Sequence, residues 1–575
     1  MAALALAGLL ALVALPTRAK GDGDAVRALI NVRMPMRDGV ELAADIFVPS
    51  APGRYPVLLE RTPYLRARDR NVKTGHEWAG RGYVFVKQDV RGRGDSAGTY
   101  TFLSNDTKDG YDSVEWLAGQ DWSNGRVGIV GASYSAATAW LAARARPPHL
   151  VAIVPRAPCG RYLDELPYLG GALLLEWAVR WVSGISPPAP EGSAAPDLEQ
   201  VYRHRPLLTV DEALGRPMPI YREFLAHATM DSFWKELYFS DDDFRGMRIP
   251  FLTITGWFDA DQPGAISYWE GMRKHSPSPN QYLIIGPWTH GSRRTMKNGI
   301  YVEGDMELSA DAVIDGTGIE IAFLDRFLKQ TSAPFEPPQA RIYVTGTNGW
   351  REMAEYPPKE AVTRPLYLHS GGKANSAAGD GRLDFVPPGD EPADGFTYDP
   401  ANPAPSTEGN LAKDQRATET REDVLVYSSA VLDAPLDIMG RVMVEVHAAS
   451  DARDTDFTAK LVDVYPDGRA VKLGAKTIGV IRARYRDGYD KERLLTPNKT
   501  ERYRIELFDV GHTFLPKHRV RLEISSSAYP AVAPNANTGN PVATDTESRV
   551  AHQRVHHRRG AASHIILPVM PPRAN

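Results

Sequence analysis

The sequence predicts an α/β domain on a parallel sheet, interrupted by a helical insertion and followed by a β-rich C-terminal domain. Three observations carry this prediction. Short apolar runs alternate with helix-compatible segments up to about residue 157 and again from 249, the pattern of parallel strands and crossover helices. Between them, 158–248 has helical spacing around Trp177, Trp181, Tyr221, Phe224, Phe233 and Trp234, with a loop at Pro187, Pro188 and Pro190. After 333 the helical period stops, and short strands separated by Gly, Pro and Asp turns take over, as in a sandwich or jelly roll.

Taken in order, the chain opens on an apolar run, 2–16, followed by the small residues Thr17 and Ala19 and then Lys20. The run is shorter than the roughly 20 residues that span a bilayer and matches a signal peptide with cleavage near residue 19. Segment 32–49 reads as a hairpin turning at Asp38-Gly39. Segments 55–64 and 83–90 read as buried strands, 112–118 as a helix and 150–155 as a further strand. The insertion 158–248 follows and is expected to cap the catalytic face. The sheet resumes at 249–255 and 281–285, and 318–328 is a closing helix. Strands are expected at 341–344, 365–368, 424–427, 441–448 and 519–525, with a long surface loop over 379–409. The domains are therefore 1–19 (signal peptide), 26–157 with 249–332 (catalytic), 158–248 (cap) and 333–575 (β-rich).

The most informative stretch is 125–140, GRVGIVGASYSAATAW. An apolar strand, a sharp turn of small residues around Ser133 and an Ala-rich helix form a nucleophile elbow, the signature of α/β-hydrolases. Small neighbours are needed because the turn strains the serine backbone and brings strand and helix close together. The return is a hydroxyl held at a helix N-terminus, where developing negative charge is favoured. The two sheet runs after the insertion lead into Gly256-Trp257-Phe258-Asp259 and Gly286-Pro287-Trp288-Thr289-His290. Carboxyl ends of parallel strands are where catalytic groups collect. Ser133, Asp259 and His290 thus occur in the chain order of an α/β-hydrolase triad, in which imidazole activates the hydroxyl and carboxylate orients the imidazole. The Tyr134 backbone N–H and Tyr64, in the loop after an early strand, are the oxyanion candidates. Trp257 and Trp288 are candidates for substrate contact.

Composition narrows the alternatives. A net charge of −4 offers no basic field for nucleic acid. The single cysteine, Cys159, rules out an intrachain disulfide and a cysteine metal cluster and reads as a buried small residue. His552, His556 and His557 are interleaved with Arg554, Arg558 and Arg559; this reads as a solvated face, since the arginines repel a cation. Asp451, Asp454 and Asp456 lack the spacing of a calcium loop. No metal and no cofactor is expected.

The motifs Arg61-Thr62-Pro63-Tyr64, Gln88-Asp89-Val90-Arg91-Gly92, Asp109-Gly110-Tyr111-Asp112 and Gly131-Ala132-Ser133-Tyr134 resemble those of the CocE/NonD hydrolases, as do the segments ending in Asp259 and His290. Gly346-Thr347-Asn348-Gly349-Trp350-Arg351 and Asp454-Thr455-Asp456-Phe457 resemble that family's jelly-roll domain, so the resemblance covers nearly all of the chain after the signal peptide. It implies a hydrolase domain, a helical cap and a jelly roll near the active-site mouth, with the Tyr64 hydroxyl donating to the oxyanion. The sequence departs from the pattern at Ala136, where the family usually has Gly; tighter packing is expected there. In the resembled α-amino acid ester hydrolases, acids just after the catalytic Asp hold a substrate ammonium. Asp261 matches one such position and Gln262 replaces the second. Asp261 also reads as a helix-end residue before Pro263.

The leading expectation is a serine acyl hydrolase acting on small-molecule esters or acyl amides, exported to the periplasm or the outside of the cell and free of the membrane after processing. The alternatives within that chemistry are an X-Pro dipeptidyl aminopeptidase and an α-amino acid ester or β-lactam acylase. From another class comes an inactive hydrolase scaffold whose jelly roll binds carbohydrate; the full set Ser133, Asp259, His290 and Tyr64 argues against it.

Overall fold

The computed structural model describes residues 26–572, except 190, 292–295, 298–299, 332–334, 407–410, 477 and the side chains of 296 and 297. Segment 1–19, expected to be a signal peptide, lies outside the described residues.

The catalytic domain is a twisted sheet with helices on its faces. Its first elements are β1 (Val26–Pro35), β2 (Glu41–Pro49), β3 (Tyr55–Thr62), α1 (Asp69–Gly80), β4 (Val84–Asp89), α2 (Asp106–Ala118), β5 (Ser123–Ala132), α3 (Tyr134–Arg144) and β6 (Leu150–Arg156). The sheet order is β1-β2-β4-β3-β5-β6, continuing into Phe251–Phe258, Gln281–Thr289, Ala340–Val344 and Gly349–Met353. From β4 to Ala340–Val344 all neighbours are parallel. These central strands are buried on both faces, which is why they read as continuous apolar runs rather than alternating ones. Burying the faces needs helices, and the crossovers supply them.

Three local expectations change. Asp38-Gly39 does lie in the first turn, with Gly39 at φ +83°. The pairing Pro35↔Glu41 leaves five residues in the loop, closed by the Met36 N–H donating to the Val40 carbonyl at 2.8 Å, rather than a two-residue turn. Ala340–Val344, expected in the β-rich domain from 333, instead extends the catalytic sheet beside Gln281–Thr289, and Gly349–Met353 closes the edge antiparallel. A short apolar run fits either domain; its partner strand decides. Within 379–409, expected as loop, Asp394–Tyr398 is a strand paired with Ala551–Arg558. Its alternating burial is hidden among turn-forming residues.

The insertion forms the cap: a two-stranded hairpin (Tyr168–Leu169 with Ala172–Leu173), helix α4 (Leu175–Ile185) and shorter helices up to Asp241–Gly246. Its apolar core is shared. Tyr162, Leu175, Phe224 and Trp234 of the cap pack in one cluster with Phe102 and Tyr134 of the catalytic domain and Ile478, Val480 and Phe508 of the C-terminal domain. Among the described residues, the strands of the C-terminal domain pair antiparallel except Arg382–Asp384 with Leu425–Ser429, and an isolated parallel bridge joins Pro405 and Tyr529. The domain is dominated by Leu436–Ser450 against Glu501–Phe514. Asp454 and Asp456 are buried there against Arg484 and Arg482. The expectation of a solvated histidine face fails at His557, which is fully buried on Ala551–Arg558 and hydrogen-bonded to Asp394 at 2.8 Å. Alternation along a strand puts neighbouring residues on opposite faces, so His552 stays exposed while His557 does not.

Candidate active site

The site is assembled where the central strands end. β5 stops at Ala132 and α3 starts at Tyr134, leaving Ser133 between them at φ 60°, ψ −129°. A non-glycine residue in this region costs on the order of 1–3 kcal/mol and persists only when its surroundings enforce it. Here the Ser133 N–H donates to the Arg156 carbonyl at 2.9 Å, while its carbonyl accepts from the Ala136 and Ala137 N–H groups at 2.9 and 3.0 Å. Gly131 is obligatory for space: a Cβ there would sit 2.7 Å from Ser135. Ala136 is fully buried in the first turn of α3.

The Tyr134 backbone N–H heads α3, where first-turn N–H groups have no partner within the helix. Its side chain is anchored beneath the site. The phenol donates to Asp106 Oδ2 at 2.9 Å, and Asp106 Oδ1 meets the buried Arg61 guanidinium at 2.9 Å. Arg61 in turn donates to Gln88 at 2.8 Å, and Arg91 pairs with Asp109 at 2.6 Å. The polar motif residues flanking the elbow thus form a buried scaffold under it.

Asp259, buried, follows strand Phe251–Phe258, and His290 follows Gln281–Thr289. His290 Nδ1 lies 2.8 Å from Asp259 Oδ1, and the same oxygen accepts the Asp261 N–H at 2.9 Å. The Asp261 carboxylate is 3.8 Å from His290 Nδ1. Burial works to lower the His290 pKa, but the Asp261 and Asp259 carboxylates outweigh it and push the imidazole up to about 10. Burial raises Asp261 to about 6, partly offset by His290. Asp259, Asp261 and His290 bring ligand-capable atoms within 4.8 Å of one another, a donor set that could hold a cation, but His290 Nδ1 and Asp259 Oδ1 are already hydrogen-bonded to each other.

Tyr64 reaches the nucleophile from the loop after β3. Burial raises its pKa to about 12, so the phenol keeps its proton, and the Ser133 hydroxyl faces it closely enough to moderate that rise. The Tyr64 oxygen accepts a hydrogen bond from Trp181 Nε1 of α4 at 3.0 Å. With the oxygen so occupied, its own proton is left to donate toward the reacting centre. Trp181 stacks on Trp177 at 5.2 Å.

Two other expected contacts fall away from the site. Trp257 and Trp288 are buried and donate to the carbonyls of Tyr343 (below the usual range, at 2.5 Å) and Ala312 (2.8 Å). Trp257 packs on Tyr356 and Trp288 on Trp350 within the main apolar cluster, and neither lines the cavity beside the nucleophile. Asp261 heads the helix Gln262–His275 without a side-chain cap bond. Its carboxylate is committed to the Ser133–His290 neighbourhood instead. Gln262 points away and donates to the Asp509 carbonyl at 2.8 Å.

A cavity of about 420 Å³ adjoins the site. Its apolar wall is built from Leu166, Leu174, Trp177 and Trp181 of the cap and Ile478 and Val532 of the C-terminal domain, with Ala260 at the catalytic end and Lys476 beside it. Sequence reasoning missed Lys476 and the buried Glu165; no motif or spacing links either to the triad. The Trp177–Trp181 pair was visible as helical spacing, but not its reach to Tyr64.

Comparison with known proteins agrees with this architecture. Residues 38–292 match the X-Pro dipeptidyl-peptidase (S15) family and residues 335–566 the X-Pro dipeptidyl-peptidase C-terminal non-catalytic domain. The chain is similar to the cocaine esterase of Rhodococcus sp. (strain MB1 Bresler), 33% identical over 94% of this chain and 98% of that protein. It superposes on an aminopeptidase from the marine-sediment archaeon Thaumarchaeota archaeon with a TM-score of 0.83 and 25% identity, covering 97% of this chain and 98% of the other. An α-amino acid ester hydrolase superposes with a TM-score of 0.82 and 26% identity, covering 96% of this chain and 98% of the other. A Ser-Asp-His arrangement on this sheet, capped and joined to a jelly roll, with a cocaine esterase similar over 94% of the chain, places the chain in the CocE/NonD family of serine hydrolases.

Proposed function

We propose that the protein is an esterase that cleaves small carboxylic esters with apolar acyl groups through Ser133, His290 and Asp259. The single observation that carries this is the strained Ser133 at the head of α3, facing Tyr64, with the Asp259–His290 pair at the neighbouring strand ends. With Nδ1 committed to Asp259, Nε2 is the imidazole nitrogen left to take the Ser133 proton. The Oγ attacks the ester carbonyl, and the carbonyl oxygen gains the negative charge. Tyr64 Oη–H and the Tyr134 N–H stabilise that charge, a term that dominates many acyl transfers. The imidazolium then protonates the departing alcohol, leaving an acyl-enzyme. Water attacks by the same route in reverse, releasing the acid and restoring Ser133. The apolar cavity between cap and C-terminal domain suits an uncharged acyl or aromatic leaving group.

A second reading, an α-amino acid ester hydrolase, acylase or X-Pro aminopeptidase, draws on the buried carboxylate Asp261 beside the nucleophile and on the buried Glu165 that feels its charge. The test of the common chemistry is direct. Ser133→Ala should lose on the order of 10⁴-fold or more in kcat on a phenylacetate ester, and a serine-reactive phosphonate should label Ser133. Tyr64→Phe should lose about 10²–10³-fold in kcat. Labelling elsewhere, or an active Ser133→Ala enzyme, overturns the assignment.

We also propose export to the periplasm or beyond, from the apolar run 2–16 followed by Thr17 and Ala19. The mass of the mature N-terminus should place it near Lys20; a retained Met1 or Ala2 excludes this route.

A further inference from the structure

We propose that Lys476, delivered by the C-terminal domain, is an internal ammonium that occupies the anionic corner formed by Asp261 and Glu165, and so makes the enzyme exclude esters with a free α-ammonium and accept their uncharged counterparts. The proposal rests on the esterase reading above and names its acyl specificity.

Lys476 sits between the strands Ala470–Lys472 and Gly479–Arg482, yet its side chain leaves its own domain for the seam between cap and catalytic domain, where it is 6% exposed. Its Nζ donates to the Glu165 carbonyl at 2.9 Å. It lines the cavity next to Ala260, the residue between Asp259 and Asp261, and the other two charged residues of the lining, Glu176 and Arg180, pair with each other at 3.0 Å. Burial has the largest effect on the Lys476 amine and holds its pKa below the ordinary lysine value; Glu165, Asp261 and Asp259 work against burial and favour the ammonium form, and Arg161 opposes it. His290 faces the same carboxylates from the other side.

The acids are thus already partnered. Both Glu165 carboxylate oxygens are taken up by backbone donors: Gly160 at 2.8 Å, Arg161 at 2.7 Å and Gly264 at 3.0 Å. Asp261 is shared between Ser133, His290 and the field of Lys476. The next position, Gln262, is neutral and turned away toward Asp509. A substrate ammonium entering here would not find unpaired carboxylates. It would meet a fixed cation in a half-dry cavity, where like charges repel far more than in water. An uncharged phenyl or alkyl acyl group meets instead the apolar wall of Trp177, Trp181 and Ile478. Specificity of this kind is set by a repulsive element as much as by an attractive one.

The test compares kcat/KM for phenylglycine and phenylacetate methyl esters. In the wild type the phenylacetate ester should be preferred. That preference should grow as the pH falls from about 9 to about 6, through the ordinary range of an α-amine, because only the protonated amine is repelled. Lys476→Met, similar in length and uncharged, should raise the phenylglycine-to-phenylacetate ratio about tenfold or more. An unchanged ratio in a Lys476→Met protein that still labels with phosphonate overturns the proposal. So does a wild type that prefers the α-ammonium ester or shows no pH trend in the ratio; this arm decides the matter if the variant does not fold. Failure of the esterase reading looks different: neither ester is turned over and Ser133 is not labelled.

Discussion

At the scale of single residues, Asp261 is the acid whose position changes the chemistry most. It stands 3.8 Å from the imidazole nitrogen that Asp259 already holds, so His290 carries its proton under the pull of two carboxylates. The base must be neutral to accept the Ser133 proton. A pKa pushed above the ordinary histidine value therefore means that kcat/KM falls as pH drops through that raised pKa, and that activity is fullest on the alkaline side. Asp261→Asn removes one of the two charges. The acid limb of the kcat/KM profile on phenylacetate methyl ester should then move to lower pH, toward the ordinary histidine range. A limb that stays in place would show that Asp259 alone sets the imidazole. The Trp181–Tyr64 hydrogen bond belongs to the same scale: it orients a phenol whose proton burial has made hard to lose.

At the scale of elements, the elbow is a problem of closeness. β5 and α3 meet with one strained residue between them, and they approach so tightly that only hydrogen fits at Gly131. A methyl group there meets the Ser135 carbonyl carbon and Cβ at 2.7 Å, and these are backbone and near-backbone atoms that have no room to give. Gly131→Ala should destabilise by about 1–3 kcal/mol through overpacking, lower Tm, and reduce kcat by displacing Ser133. Differential scanning calorimetry beside an ester assay reads both; a protein of unchanged Tm and kcat would show that the turn relaxes. Gly264 does similar work where the helix Gln262–His275 passes the 158–160 backbone, since a Cβ would sit 2.4 Å from the Gly160 nitrogen.

At the scale of the whole molecule, three parts are locked by shared core and shared charge. Arg161 of the cap meets Glu506 of the C-terminal domain at 2.7 Å. Arg441 meets Glu506 at 3.1 Å, Asp509 at 3.2 Å and Glu270 of the catalytic domain at 3.1 Å. Removing Glu506 strands parts of two guanidiniums. Glu506→Ala should cost about 1–3 kcal/mol, the range for leaving buried donors unsatisfied, and no more because Arg161 keeps Asp164, Arg441 keeps Asp509 and Glu270, and Glu506 itself is 15% exposed. Thermal unfolding should shift down, and limited proteolysis should find the cap more accessible; an unchanged Tm would mean the apolar cluster alone holds the parts together.

What the sequence determined by itself is local. The elbow was legible because strand, small-residue turn and helix are adjacent in the chain, and steric closeness at a turn leaves few residue choices. The order Ser133, Asp259, His290 was legible because each follows an apolar run at a strand end. Burial on both faces made the central strands conspicuous. Tertiary structure decided what depends on partners distant in sequence. Ala340–Val344 could have joined either domain, and only pairing with Gln281–Thr289 placed it in the catalytic sheet. Trp257 and Trp288 lie in the right motifs but pack into the main apolar cluster. The Asp261 side chain faces the nucleophile rather than its own helix end, because helix dipole and buried imidazole compete for one carboxylate and the nearer full charge wins. Lys476 reaches Glu165 across more than half the chain, and an ammonium brought that far by folding leaves no pattern in the sequence, since its only rule is proximity.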